Sequence, residues 1–416
     1  MKFQMKNFAA ITLCLGLISA ASAQNANGPQ TPDTQSQTTP AAAPAPAPAA
    51  PPSALPTPVV TGPLSNLPPA MLDAGPFGKI AVNGIISGMG MLQNNHVPGD
   101  DTQQATLSNG QIFIQKTDGW FQFYLQAGAY DLPALGTPYL SAAKTIDAFY
   151  GPLPVAFLKL QAGKNTSIMI GELPTLIGAE YTFTFENMNV HRGLLWNQEN
   201  AVSRGIQINQ TMGKFTASAS WNDGFYSNRY SWITGSLAYT NGPHALSFVA
   251  GGNLGQTKFQ TAAVPVQNNS DIVNVIYTYT KGPWIIQPYY QYTNVPTNKA
   301  IGIPQGATTN GGAILASYAF KHGFSLPLRW EYITSSGNAA NNAVNLLYGP
   351  GSSGLSLTAT PTYQAGGFFV RGDLSWVHAG NSTPGDVFAQ NGLANNQIRA
   401  MAEIGFIFGN NITEKK

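Results

Sequence analysis

From Lys79 onward the chain alternates apolar and polar residues with a period of two, the spacing that sends successive side chains to opposite faces of a β-strand. The last stretch shows it most clearly. Ile398, Ala400, Ala402, Ile404, Phe406 and Phe408 share one face, while Arg399 and Glu403 share the other. Phe121, Phe123, Leu125, Ala127 and Ala129 alternate with Gln122, Tyr124 and Gln126. Leu326, Leu328, Trp330 and Tyr332 alternate with Arg329 and Glu331, and Phe368, Val370, Leu374 and Trp376 with Arg371 and Asp373. In the last strand the apolar face ends in aromatics, as in membrane barrels with aromatic girdles.

The joints between these stretches also alternate. Tight glycine-bearing turns stand at Met212-Gly213-Lys214, Asn241-Gly242-Pro243, Lys281-Gly282-Pro283, Lys321-His322-Gly323 and Ala365-Gly366-Gly367. Between them lie longer segments rich in Asn, Gly, Ser and Pro, around 223–230, 255–270, 295–310, 336–353 and 380–396. Short turns at one end and long loops at the other predict periplasmic turns and extracellular loops. Counting backward from the C-terminal strand puts 176–200 on the extracellular side as the third long loop. It makes Gly163-Lys164-Asn165 and Thr117-Asp118-Gly119 periplasmic turns and 132–152 an extracellular loop. This count requires a strand near 107–116, where the alternation (Ile112, Ile114) is weak. The expected fold is therefore all-β: a transmembrane antiparallel up-and-down barrel of about sixteen strands, or fourteen if the first pair is not strand.

Composition agrees with a wall between lipid and water. Of 416 residues, 43% are hydrophobic and only 9% charged, with 44 Gly, 17 Tyr and 21 Phe. A net charge of +2 gives no reason to expect nucleic acid as a partner. Residues 1–23 read as a secretory signal peptide: Lys2 and Lys6, an apolar run from Phe8 to Ile18, then Ala21-Ser22-Ala23. The single cysteine, Cys14, lies inside it, so a mature chain would have neither disulfide nor thiolate chemistry. No later segment is apolar over the ~20 residues that a membrane helix needs, and a chain spanning lipid without helices must close into a barrel. Residues 24–76, with the run Ala41–Pro52, read as an extended, disordered, Pro/Ala-rich periplasmic linker: a spacer, or a tether to the cell wall or a partner. The barrel is expected over 77–408 and a polar tail over 409–416.

Against this low background the stretch Gly171–Arg204 is dense in charge. It holds four of the seven glutamates (Glu172, Glu180, Glu186, Glu199) together with His191, Arg192 and Arg204. Its own apolar residues, Phe183, Phe185, Leu194, Leu195 and Trp196, predict a loop folded into the lumen. Glu180, Glu186, His191, Arg192 and Glu199 are the expected constriction residues, and Glu172 and Arg204 are expected to hold the loop's two ends. Strand parity sends Lys159, Arg329, Glu331, Arg371, Asp373, Arg399 and Glu403 into the lumen, since Arg or Lys on the lipid face costs about 2–4 kcal/mol at mid-bilayer. Arg329, Arg371 and Arg399 would form a basic ladder with Glu180, Glu186 and Glu199 across an opening, a transverse field able to filter small polar solutes. The plainer reading pairs Arg329 with Glu331, Arg371 with Asp373 and Arg399 with Glu403 as braces of the wall. His191, His96, His244, His322 and His378 show no metal-ligand spacing. No nucleophile elbow, zinc motif, phosphate loop or dinucleotide fingerprint occurs, so neither enzyme activity, cofactor nor metal is expected.

Gly171–Ile208, followed by Ala217–Ser227 (ASASWNDGFYS), resembles the OmpL-like β-barrel porins of Gram-negative bacteria, over residues 77 to 408. The most specific part is the strand with Gly171, the loop with Asn187, Asn189 and Arg192, and Arg204-Gly205 entering the next strand. The resemblance implies an outer-membrane channel for small solutes, in contact with outer-membrane lipid. Two features depart from it: the eight residues after Phe408 and the Pro/Ala linker. The expected function is passive diffusion of small hydrophilic solutes or ions. The alternative is a structural or adhesive barrel with a plugged lumen and functional outer loops, and a third is a barrel hydrolase with a Ser–His contact. A homotrimer is common for barrels of this size by fold analogy.

Overall fold

A computed structural model describes residues 64–65, 67–258 and 265–410. The expected signal peptide, most of the expected linker and most of the C-terminal tail lie outside the described residues.

A short strand β1 (Ala70–Asp73) precedes the wall. The wall starts with β2 (Lys79–Gln93), β3 (Gln103–Lys116), β4 (Phe121–Tyr130), β5 (Val155–Gln161), β6 (Thr166–Pro174) and β7 (Val202–Met212). It continues through β8 (Phe215–Asn222), β9 (Trp232–Asn241), β10 (His244–Asn253), β11 (Asp271–Lys281), β12 (Trp284–Val295) and β13 (Ala307–Ala319). It ends with β14 (Phe324–Ser335), β15 (Ser353–Ala359), β16 (Thr362–Ala365), β17 (Phe368–Gly380) and β18 (Asn396–Phe408). Apart from β15 and β16, each strand pairs antiparallel with the next, and β18 pairs back onto β2 from Arg399↔Gln93 to Phe408↔Gly84. β15 and β16 are one crossing: both lie between β14 and β17, interrupted at Thr360-Pro361. Pro361 has no N–H to give the ladder. The result is a closed barrel of sixteen strands.

The strand near 107–116 is present and longer than its pattern suggested, beginning at Gln103. Its weak alternation has a physical cause: Phe113 faces the lumen, where it is fully buried against Phe185 at 5.5 Å between ring centroids. The expected linker boundary at 76/77 falls within ordered structure. β1 pairs with the start of β2 from Ala70↔Val82 to Asp73↔Lys79. Leu64 packs among Ile85, Phe113, Phe369 and Ile407.

Leu125, Leu158, Ile170, Ile206, Leu246, Ile314, Leu328, Trp330, Leu374, Ile398 and Ile404 are exposed on the outward face. Such a belt would be a liability in water and suits lipid. Near the tight turns, aromatic pairs such as Trp284–Tyr318, Phe324–Tyr363 and Phe406–Phe408 mark the rim. The buried side chains lie inside, around the long loop 175–201 between β6 and β7.

Candidate functional site in the lumen

Loop 175–201 leaves the end of β6 and returns as β7, and the ladder fixes both ends by Glu172↔Arg204 and Pro174↔Val202. Gly171 (φ +139°) makes the irregularity just before it, where a Cβ would sit 2.2 Å from the Ala156 carbonyl oxygen. Glu172 and Arg204 do not bridge each other. Glu172 accepts a hydrogen bond from Tyr226 Oη (2.7 Å), and Arg204 pairs with Asp223 (2.9 Å) and covers the Tyr226 ring at 4.0 Å. The two ends thus meet through Tyr226 and Asp223, on the next long loop.

Inside the barrel the loop is driven inward by its apolar residues. Phe183 and Phe185 stack at 5.8 Å, and Tyr130 meets Phe183 edge-on at 5.2 Å. Leu194 and Leu195 join a second cluster with Ile333, Tyr348 and Phe388. Loop 131–154, which carries helix α1 (Ala142–Ala148), pairs with it at Ala134↔Arg192: Arg192 N donates to Pro133 O (2.9 Å) and Leu135 N to Arg192 O (3.0 Å).

All seven residues sent to the lumen by parity are buried there. They do not face the loop across an opening; six of them contact it or its neighbouring loops directly. Arg329 donates to Glu180 (2.7 Å), to the His191 carbonyl (2.6 Å) and to Thr358 (3.1 Å), and lies 3.2 Å from Glu331. Glu331 accepts from the Leu194 amide (3.1 Å) and Ser356 (2.6 Å). Arg371 spends its guanidinium on the carbonyls of Thr184, Asn187 and Met188, each at 2.8 Å, and its ionic partner is Glu403 at 3.6 Å rather than Asp373. Register explains this, because Arg371 lies directly opposite Glu403. Glu403 in turn collects Ser87, Ser108, Asn109 and Thr184. Asp373 accepts from the Val190 amide (2.8 Å), Thr360 (2.9 Å) and His191 Nδ1 (2.8 Å). Arg399 donates to the carbonyls of Ala134 (3.0 Å) and Thr137 (3.1 Å) and lies 3.8 Å from Asp100. Lys159, on β5, lies opposite Gln122 of β4 and Met169 of β6 in the ladder.

The expected constriction residues therefore separate into different environments. Glu180 is clasped by Arg329 and by the Gly193 amide (2.7 Å). Glu186 accepts from the Phe183 amide (3.1 Å), and burial pushes its carboxyl up to about 8. His191 is held neutral, its pKa drawn down by burial to about 4, so its Nδ1–H is the donor to Asp373. Arg192 is fully buried over the Trp196 ring (5.0 Å), and its guanidinium has no hydrogen-bond partner among the described residues. Burial lowers it to about 10, still charged at neutral pH, with Asp131, Glu180 and Glu186 acting on it through space. Glu199 is 6% exposed, and neither carboxylate oxygen has a hydrogen-bond partner among the described residues.

Sequence reasoning missed several participants. Asp100 and Asp131 come from the first two long loops, and Asn274 and Gln291 from β11 and β12. Asn274 Oδ1 accepts from the Gly178 amide (3.2 Å), and Gln291 Nε2 donates to the Leu195 carbonyl (2.8 Å). The amide pair, joined at 2.8 Å, tethers the loop to that wall. Its only signal in the sequence is two long amides at lumen parity.

The loop separates two cavities. One, about 590 Å³, opens among the long loops and is lined by Tyr150, Trp196, Glu199, Tyr226 and Leu346. The other, about 440 Å³, lies between Gly178, Glu180 and Glu186 on the loop and Gln207, Ser236, Ser247, Thr278 and Gln287 on the wall.

The family described as "Putative beta-barrel porin-2, OmpL-like" matches residues 79–408. Among solved structures, OmpT of Vibrio cholerae aligns over 82% of this chain and 100% of its own at 13% identity, TM-score 0.53. Salmonella typhi OmpF, solved in complex with daunomycin, aligns over 79% and 98% at 13% identity, TM-score 0.53. The outer-membrane channel DcaP of Acinetobacter baumannii aligns over 82% and 100% at 11% identity, TM-score 0.53. No curated protein matches the chain. At these identities the structures share the fold alone. The family match covers the whole wall from β2 to β18, and the chain belongs to the OmpL-like β-barrel porin family, as a porin of the outer membrane.

Proposed function

We propose that the barrel passes small hydrophilic solutes by passive diffusion, with loop 175–201 as its constriction. The observation that carries this reading is the pair of cavities, about 590 and about 440 Å³, on opposite faces of the loop. The lower one runs along a wall of hydroxyls and amides, which bind a hydrated solute weakly enough to release it. Purified protein in a planar bilayer should give stepwise conductance. A folded barrel, shown by heat-modifiable gel mobility, that gives no steps would remove the reading.

The second reading is a structural or adhesive barrel with a plugged lumen. It is favoured by one observation: Arg329, Arg371 and Arg399 all bind the inner loops directly. The same bilayer measurement separates the two. Assembly as a homotrimer belongs to the first reading. It is supported by the low outward relief of Gly90, Ala105, Ala400 and Ala402, which line a shallow groove at the β18–β2–β3 seam, and is tested by cross-linking in detergent.

A further inference from the structure

We propose that Glu199 is the cation-selecting residue of this channel, and that solute crosses the loop beside Gly178, Glu199 and Tyr289 rather than between Glu180 and Arg329. The inference rests on the porin reading and places its narrow point.

The first ground is thickness. Gly178 lines the lower cavity and Glu199 the upper one. A Cβ on Gly178 would lie 1.7 Å from Glu199 Oε2, so the carboxylate rests on the glycine backbone. Here a residue lining one cavity touches a residue lining the other. Gly178 has φ +85°, a conformation other residues rarely adopt, so the close approach depends on this glycine. At Glu180, by contrast, Arg329 and the Gly193 amide close on the carboxylate at 2.7 Å each.

The second ground is an unmet charge. Both Glu199 oxygens lack hydrogen-bond partners among the described residues, as do Gln198 Oε1 and Tyr289 Oη. The charged groups acting on Glu199 are Glu180 and Glu331, both of like sign, and Arg329 is already engaged by those two. Tyr289, on β12, is a further titratable side chain of the wall within reach of Glu199's charge. Ionising this carboxyl among acceptors is costly unless a mobile cation supplies the missing charge. A single carboxylate does not meet the six to eight oxygens that Ca²⁺ takes. The fitting class is a monovalent cation or the ammonium group of a small solute.

A proton competes for the same place. Burial and the two neighbouring carboxylates push the Glu199 carboxyl well up, and a cation beside it brings it back down. Cation preference should therefore fade as pH drops.

The test is the reversal potential of the full chain in a planar bilayer under a KCl gradient. The wild-type channel should prefer K⁺, and Glu199→Gln, which keeps the shape, should lower the K⁺/Cl⁻ ratio several-fold. Acidification should lower the ratio in the wild type and leave it flat in Glu199→Gln. Glu199→Cys, in a chain whose single native cysteine is Cys14, should lose conductance to a cationic thiol reagent. An unchanged ratio in Glu199→Gln, or a larger shift from Glu180→Gln, overturns the assignment while leaving the porin reading intact. A wild-type barrel that folds but never conducts overturns both.

Discussion

The two halves of the lumen are built from the same ladder and do opposite things. On the half formed by β14, β17 and β18, Arg329, Glu331, Arg371, Asp373, Arg399 and Glu403 face inward, and each is bonded to the inserted loops, to the side chains around them, or to both. On the half formed by β7 to β12, the inward positions include Gln207, Ser236, Ser247, Thr278 and Gln287, and a cavity remains between wall and loop. Charge in this barrel fastens, and neutrality leaves room. A guanidinium can satisfy several carbonyls at fixed angles, so it draws backbone onto the wall. A hydroxyl wall offers no comparable purchase, and on this side the loop is held by the Asn274–Gln291 amide pair and by apolar packing of Ile177 with Trp232, Val249 and Ile272.

Substitutions on the two sides should therefore differ sharply. Arg329→Ala strips a buried pair of its cation and leaves Glu180 and Glu331 uncompensated, which should cost on the order of 3–5 kcal/mol. The readout is the midpoint of heat-induced mobility change on gels, and an unshifted midpoint would break the fastening account. Phe185→Ala removes the ring shared by Phe113 and Phe183 and should cost about 3 kcal/mol by the same assay.

Glu186→Gln probes pH. A carboxyl raised to about 8 when folded contributes stability that is full below the unfolded value near 4.5 and gone above about 8. The wild type should lose stability across that window, and Glu186→Gln should lose less. Equal slopes for both proteins would remove Glu186 from the account. Smallest of all, Gln287→Ala on the neutral wall should shift the midpoint by no more than about 0.5 kcal/mol, while single-channel conductance reports any change in the space beside it.

Much of the wall was legible in the sequence because lipid and water impose a strict alternation on each strand. The tight turns at Gly213, Gly242, Gly282, Gly323 and Gly366 were readable from their glycines, and Arg399 and Glu403 fell inward by parity alone. β3 was faint because its lumen face packs on protein, so Phe113 replaces the expected polar residue. Inside the lumen, parity tells which residues enter but not whom they meet. Arg371 reaches three carbonyls of the loop, which carry no side-chain signature. Asp373 meets His191 only because the loop turns back near Val190. The separation of Glu180 from Glu199, one clasped and one without a hydrogen-bond partner among the described residues, depends on distances between segments far apart in the chain.

β18 stops at Phe408 opposite Gly84, and β1 takes up the pairing with β2 from Val82 down to Lys79. Asn410 N then donates to Pro68 O at 2.7 Å, and Ser65 is held by Gln364. Head and tail of the wall are thus neighbours, and the ladder has no privileged starting strand. A circular permutant that joins Asn410 to Leu67 and opens the chain at the Gly242 turn would keep every rung of the barrel except those of the new gap.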